Sequence, residues 1–321
     1  MNSETERLVD TMPKVKAEVG LGRTLSGFYT LSAVHAVIFS LTLWTLLHTK
    51  DQFSEKENTA LFEYVATGRF VSSQTLAYLR LLPALTVLLS CGYILLEREG
   101  LLLTIVNRDG VITPVLLKHW SRFTTFTVLC WTLQGVYFSL SSYLSFAHAN
   151  SYPISPILVK ISAALFEICF ATAYLVTTVV SFVLIPASLA QATASKTSFF
   201  DFFPVLFHNG NVAFMAFELC MNRIPFNFAH FPYIVLYGQL YVLFSWTLFR
   251  RIGVFYYFFL DYEAKYAVIW QLGLLAALTL FFFLGSYLSS LLNSGQLSHT
   301  LFIMVRHFKA FLFLMTLMSY F

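Results

Sequence analysis

Apolar residues fill this chain in long blocks, and polar positions gather between the blocks rather than alternating with them. A helix needs about 20 mostly apolar residues to cross the hydrocarbon core of a bilayer. Seven runs reach that length: 26–47, 75–96, 123–146, 157–187, 203–222, 229–249 and 267–292. The fourth is long; it either tilts or continues as a helical extension near Thr193. The pattern predicts an all-α fold, a polytopic transmembrane helix bundle of about seven spans, within a range of six to eight. In the last segment, "LFIMVRHFKAFLFLMTLMSYF", Arg306, His307 and Lys309 precede only about twelve apolar residues. It is expected to lie at the interface, with a short eighth span as the alternative. The Asp-Gly of "NRDG" (107–110) marks a turn. It separates "LLLTIV" from "VITPVLL", each too short to span, so this linker reads as a small cytoplasmic hairpin or an interfacial segment. The expected organisation is a cytoplasmic N-terminal tail (1–24), a transmembrane domain (25–293) and a C-terminal interfacial or short membrane segment (294–321).

Composition narrows the class. Only 11% of the 321 residues are charged and 58% are hydrophobic, whereas soluble domains average about 25% charged residues. So few charges could not cover a soluble surface. The tail lacks the apolar core of a signal peptide, so the first run is expected to act as an uncleaved anchor. That permits the endoplasmic reticulum, the plasma membrane or another endomembrane. Cys91, Cys130, Cys169 and Cys220 lie in different runs and form no CxxC pair. They read as packing residues, with no disulfide framework, no metal site and no cofactor. The net charge of +4 is scattered, without a polybasic tract, which excludes a nucleic-acid partner and leaves membrane lipids as the expected one.

Orientation follows the lysine and arginine bias. With the N-terminus cytoplasmic, the inner segments hold Arg7, Lys14, Lys16, Arg23, Arg98, Arg108, Lys118, Arg122, Lys196, Arg250, Arg251 and Lys265. The outer segments hold Lys50, Lys56, Arg69, Arg223, Arg306 and Lys309. Twelve against six favours that orientation.

One run carries chemistry. On a regular helix over 203–222, His208, Asn211, Glu218 and Asn222 fall within one face about 80° wide. Ionisable groups in a membrane are costly unless paired, and they face the bundle interior or a wet cavity. The bland reading is a helix–helix hydrogen-bond cluster, with Glu218 and Asn222 as its structural members. The third run, "SRFTTFTVLCWTLQGVYF", brings Thr124, Thr125, Thr127, Thr132 and Gln134, with Thr127 and Gln134 sharing a face. Membrane threonines commonly bond back to their own helix. Thr127 and His208, however, are expected about 7–8 Å and 10 Å below the same leaflet at 1.5 Å per residue. A hydroxyl and an imidazole within reach can carry out nucleophilic acyl transfer. Asn211 is a candidate to orient the ring, and the oxyanion donors are not legible.

"HNGNVAFMAFE" resembles the His-to-Glu segment of the androgen-induced-gene / androgen-dependent TFPI-regulating protein family. "FTVLCWTLQGVYF" resembles that family's threonine-containing helix, and "GVFYYFFLDY" (253–262) its Gly-x-x-x-Tyr-Pro-Phe-Leu segment, with Tyr257-Phe258 in place of Tyr-Pro. "RIPFNFAHFPYIVLYGQLYVLFSW" is similar to the related rolling-stone-like membrane proteins. The likeness covers about 120–262. It implies an intramembrane threonine hydrolase of fatty acid esters of hydroxy fatty acids. The histidine carries over to His208 and the threonine to Thr127, with Thr124 and Thr125 as alternative nucleophiles and Asn211, Glu218 and Gln134 as a supporting polar cluster.

Two alternatives stay open: a non-catalytic rolling-stone-like protein of fusion, signalling or scaffolding, and a transporter using Glu167, Glu218 and Arg80. Absence of repeats and of paired broken spans counts against the transporter. Glu167 is expected to pair with Arg80 or to serve a polar cavity. His230 is expected at the interface and His35 as a packed, hydrogen-bonded residue. Tyr233, Tyr237 and Tyr241 form a packing stripe that could also line a lipid tunnel. "RRIGVFYYFFLDY" reads as an interfacial aromatic anchor.

Overall fold

The computed structural model describes residues 26–48, 55–106, 112–189, 199 and 201–294. The N-terminal tail, the "NRDG" turn, Thr193 and the C-terminal segment lie outside these. Most described residues are helical. The helices are α1 (Ser26–His48), α2 (Glu55–Ala66), α3 (Ser73–Leu96), α4 (Phe126–Ala149), α5 (Pro156–Val179), α6 (Asn211–Met221), α7 (Phe231–Ile252) and α8 (Ala267–Asn293). The departure from an all-α fold is an antiparallel hairpin, β1 (Leu101–Val106) with β2 (Ile112–Leu117), registered Leu101 opposite Leu117 and Val106 opposite Ile112. It flanks the Asp-Gly turn signal, as expected.

Among the described residues, five helices are long and apolar enough to cross a membrane: Ser26–His48, Ser73–Leu96, Pro156–Leu189, Phe228–Ile252 and Ala267–Asn293. They are compatible with a multi-pass membrane protein. The two remaining runs fold differently from a plain apolar span. α4 is as long as α3 but carries Ser139, Ser141, Ser142, Ser145 and Gln134, which lower its apolarity. The 203–222 run is broken. A helical turn Phe202–Val205 leads into a π-helical turn, Leu206–Gly210, and only then into α6. A second π turn, Val180–Leu184, follows α5.

Contacts divide the chain into two compact units. The first draws its described residues from Met1–Lys50, Leu89–Leu129 and Pro232–Leu278; the second draws them from Asp51–Leu88, Cys130–Phe231 and Thr279–Phe321. In the first, Tyr262 gathers Phe28, Trp246, Phe249 and Phe255 edge-on at 5.2–6.0 Å. The Arg250 guanidinium lies 5.8 Å from the centre of the Phe28 ring, a cation–π contact. The "RRIGVFYYFFLDY" segment is thus packed by its aromatics. His35 on α1 is buried and reaches Gln239 of α7 (2.6 Å) and Gln271 of α8, the packed, bonded role expected of it. Just past α3, Glu97 accepts from the Gly100 N–H (3.0 Å) and from Glu99, and pairs with Arg122. Burial alone would raise its carboxyl; these partners outweigh it and hold the group below its ordinary value.

In the second unit the core joins Tyr137 and Phe138 of α4, Val159, Ala163, Phe166, Cys169 and Phe170 of α5, and Met215 and Leu219 of α6. α5 with its continuation to Leu189 is the most enclosed of the five apolar helices, and α1 the least. Small residues along it let neighbours approach closely. Gly285 of α8 does the same, since a Cβ there would lie 2.8 Å from the Phe170 ring. All four cysteines are free thiols.

Candidate functional site

Three polar clusters of the second unit bear on the residues singled out in the sequence. The first is a buried knot around Arg80 and Glu218, both fully enclosed. Glu218 Oε1 accepts from Arg80 Nη2 (2.5 Å) and Nε (3.0 Å), from the Tyr137 hydroxyl (2.7 Å) and from Asn222 Nδ2 (3.1 Å). Arg80 Nη1 donates to Ser145 Oγ (2.7 Å) and to the carbonyls of Val65 (2.7 Å) and Ser141 (3.2 Å). Buried charge is tolerable when geometry is good and the remaining donors and acceptors are met, and both conditions hold. The pairing of Glu167 with Arg80 is therefore overturned: Arg80 belongs to Glu218.

Glu167 has other company. Its Oε1 accepts from the Asn227 N–H (2.8 Å) and from His230 Nδ1 (3.2 Å). His230 is 3% exposed, so its expected place at the interface is corrected: a carboxylate in the core draws it inward. Arg69, outside the knot, donates to the Leu292 carbonyl (2.5 Å), the Asn222 carbonyl (2.8 Å) and the Cys220 carbonyl (3.3 Å). It caps the C-terminal ends of α6 and α8, where carbonyls lack helical partners.

The third cluster surrounds His208. The histidine sits in the middle of the π turn Leu206–Gly210, and its carbonyl accepts from the Thr177 hydroxyl at 2.5 Å. Its ring is half-buried and lies 6.4 Å from the Phe199 ring. π turns recur at functional sites. Three residues on, Asn211 opens α6 fully buried and bonds to Gln134, also fully buried. The expected regular stripe therefore holds for Asn211, Glu218 and Asn222, all buried. Its angular count does not extend back through the π turn to His208. Asn211 turns to Gln134, which takes the place of its expected role beside the imidazole. Trp131 stacks on Phe214 (5.6 Å) and meets Phe207 at a tilt (5.5 Å).

The threonines lie in the first unit, around the start of α4. Thr125 caps the helix: its Oγ1 accepts from the Val128 N–H (3.4 Å) and donates to the Arg122 carbonyl (3.0 Å). The Thr124 hydroxyl donates to the Ser121 carbonyl (2.5 Å) and lies 3.0 Å from the Tyr256 hydroxyl. Burial raises the Tyr256 phenol above its ordinary value. Both threonines follow the local bonding expected of membrane hydroxyls. Thr127 is buried in the first turn of α4. It belongs to the first unit, and His208 to the second. In the tyrosine stripe, Tyr241 is buried and donates to the Thr124 carbonyl (3.3 Å), Tyr237 packs on Phe126 (5.9 Å), and Tyr233 is exposed.

Sequence reasoning did not find Tyr137, Ser145, Arg69, Trp131 or Thr177 as members of these clusters. Arg69 had one signal, a lone cation just ahead of α3; the others look like ordinary helix residues. Compared with known protein families, curated proteins and solved structures, the chain matches none.

Proposed function

We propose that this chain is a seven-span membrane protein with a cytoplasmic N-terminus that hydrolyses lipid esters. Fatty acid esters of hydroxy fatty acids are the substrate class implied by the resemblance. Thr127 is the nucleophile and His208 the base. His208 takes the Thr127 hydroxyl proton as Oγ1 bonds to the ester carbonyl carbon. Collapse of the adduct breaks the bond to the alkoxide, which leaves with the proton from the imidazolium. Water, deprotonated by the same imidazole, then cleaves the acyl-threonine and restores the hydroxyl.

The observation that carries this reading is the separate treatment of His208. Glu218 and Asn222, its companions in the stripe, are absorbed by the Arg80 knot. His208 instead stands in a π turn whose backbone is pinned by Thr177. Such a turn presents a side chain at an angle that a continuous helix does not offer.

The test is hydrolysis of a fatty acid ester of a hydroxy fatty acid, together with labelling by a hydroxyl-directed covalent probe. Thr127→Ala and His208→Ala are each expected to lower turnover at least ~10²-fold, the scale of a lost general base, with thermal unfolding unchanged. Full turnover in both folded variants would remove the reading. The second reading, a non-catalytic membrane protein, is favoured by the satisfaction of the knot, whose donors and acceptors serve one another as helix–helix glue does. A transporter is disfavoured because Arg80 and Glu218 are locked together.

A further inference from the structure

We propose that Asn211 Nδ2 donates to the carbonyl oxygen of the lipid ester, and that Gln134 is the positioning residue that aims it. This rests on the hydrolase reading and adds the oxyanion donor that reading lacks.

The two carboxamides fix each other's orientation. Gln134 Nε2 donates to Asn211 Oδ1 and lies 3.3 Å from the Asn211 backbone carbonyl. A Gln134 turned the other way would set its oxygen against two oxygens. Asn211 must therefore present its oxygen to Gln134 and turn its nitrogen elsewhere. That nitrogen, and Gln134 Oε1, are buried without a hydrogen-bond partner among the described residues. Buried donors are rarely left unmade in native structures, and each such case calls for an explanation.

Place in the chain supplies that explanation. Asn211 is the first residue after the π turn that holds His208. The residue before it, Gly210, leaves the backbone bare: an added Cβ would stand 3.0 Å from Leu206 and 3.8 Å from Trp131. Trp131, Phe207 and Phe214 give the surroundings an apolar character. A preorganised donor in a dry, apolar setting is worth most when charge develops on its acceptor. As the attacking oxygen bonds to the carbonyl carbon, the carbonyl π pair moves onto oxygen, and that oxyanion accepts the Nδ2 hydrogen. No proton is transferred at this point. When the bond to the alkoxide breaks, the pair returns to the carbonyl.

The experiment uses the full chain in detergent micelles with a fatty acid ester of a hydroxy fatty acid and its thionoester, whose sulfur is a poor hydrogen-bond acceptor. Asn211→Ala is expected to lower kcat ~10²–10³-fold, the cost of one lost oxyanion donor, with KM nearly unchanged. Wild type is expected to discriminate strongly against the thionoester, and Asn211→Ala to lose that discrimination. Should Asn211→Ala not fold, the comparison is read on Gln134→Met, where weakened discrimination supports the assignment. Full kcat and unaltered discrimination in the folded variant, while wild type hydrolyses the ester, overturn the Asn211 assignment and leave the hydrolase reading standing. If folded wild type neither hydrolyses the ester nor takes the covalent probe, the hydrolase reading itself fails and takes the assignment with it.

Discussion

Arg80 commits its guanidinium to α2, α4 and α6 at once, through Val65, Ser141, Ser145 and Glu218. Removing one partner of such a pair strands the other charge in the core. Arg80→Met or Glu218→Met alone is therefore expected to cost about 3–5 kcal/mol. The double variant Arg80→Met/Glu218→Met strands no charge and is expected to lose less than the two single losses combined. Thermal unfolding of the purified chain in detergent reads the difference, and strict additivity would show that the pair is not coupled. The sequence marked Arg80, Glu218 and Glu167 as charges inside apolar runs but did not pair them correctly. Depth was the neglected signal. Arg80 stands five residues into its run and Glu218 four from the end of its own, whereas Glu167 is ten residues in. The threonines show the opposite case. Their local bonding is set by neighbours three residues away, so general chemistry was enough to anticipate it.

At the scale of elements, the hairpin was legible and the π turns were not. Asp-Gly between two short apolar strands is a strong backbone signal. A π turn amounts to one extra residue in a helix and leaves no mark on composition. In "LFHNG" the only hint is a pair of weak helix formers, Asn209 and Gly210. That extra residue is what takes His208 out of angular register with Glu218. Deleting Asn209 should convert Leu206–Gly210 to regular helix and rotate everything before it by about 100° relative to α6. The knot, built from α6 and not from the π turn, should survive, so the melting temperature should stay within a few degrees. Ester turnover should fall at least ~10²-fold, as when a reacting group is misplaced by an ångström or more. Unchanged turnover would mean that the placement of His208 by the π turn is irrelevant to the chemistry.

For the whole molecule, the apolar runs located every long helix among the described residues, but a run does not by itself establish a crossing. α4 and the broken 202–221 segment fall outside the five apolar helices, and whether they span decides which side each later loop faces. With seven crossings taken as given, the Lys and Arg count favours a cytoplasmic N-terminus. The loop between α4 and α5 separates the two counts. With α4 and the broken segment both crossing, Tyr152 faces outward, on the side of Phe70; with neither crossing, it faces inward with Trp120. All three side chains are exposed, so each can be replaced by cysteine in a cysteine-free background and challenged with an impermeant maleimide on sealed vesicles of known sidedness. Tyr152→Cys and Phe70→Cys are expected to react from outside, and Trp120→Cys only after permeabilisation. Protection of Tyr152→Cys alongside Trp120→Cys would remove the crossing of α4. Thr127 would then lie on a segment that does not traverse the bilayer, and a depth shared with His208 would lose its basis.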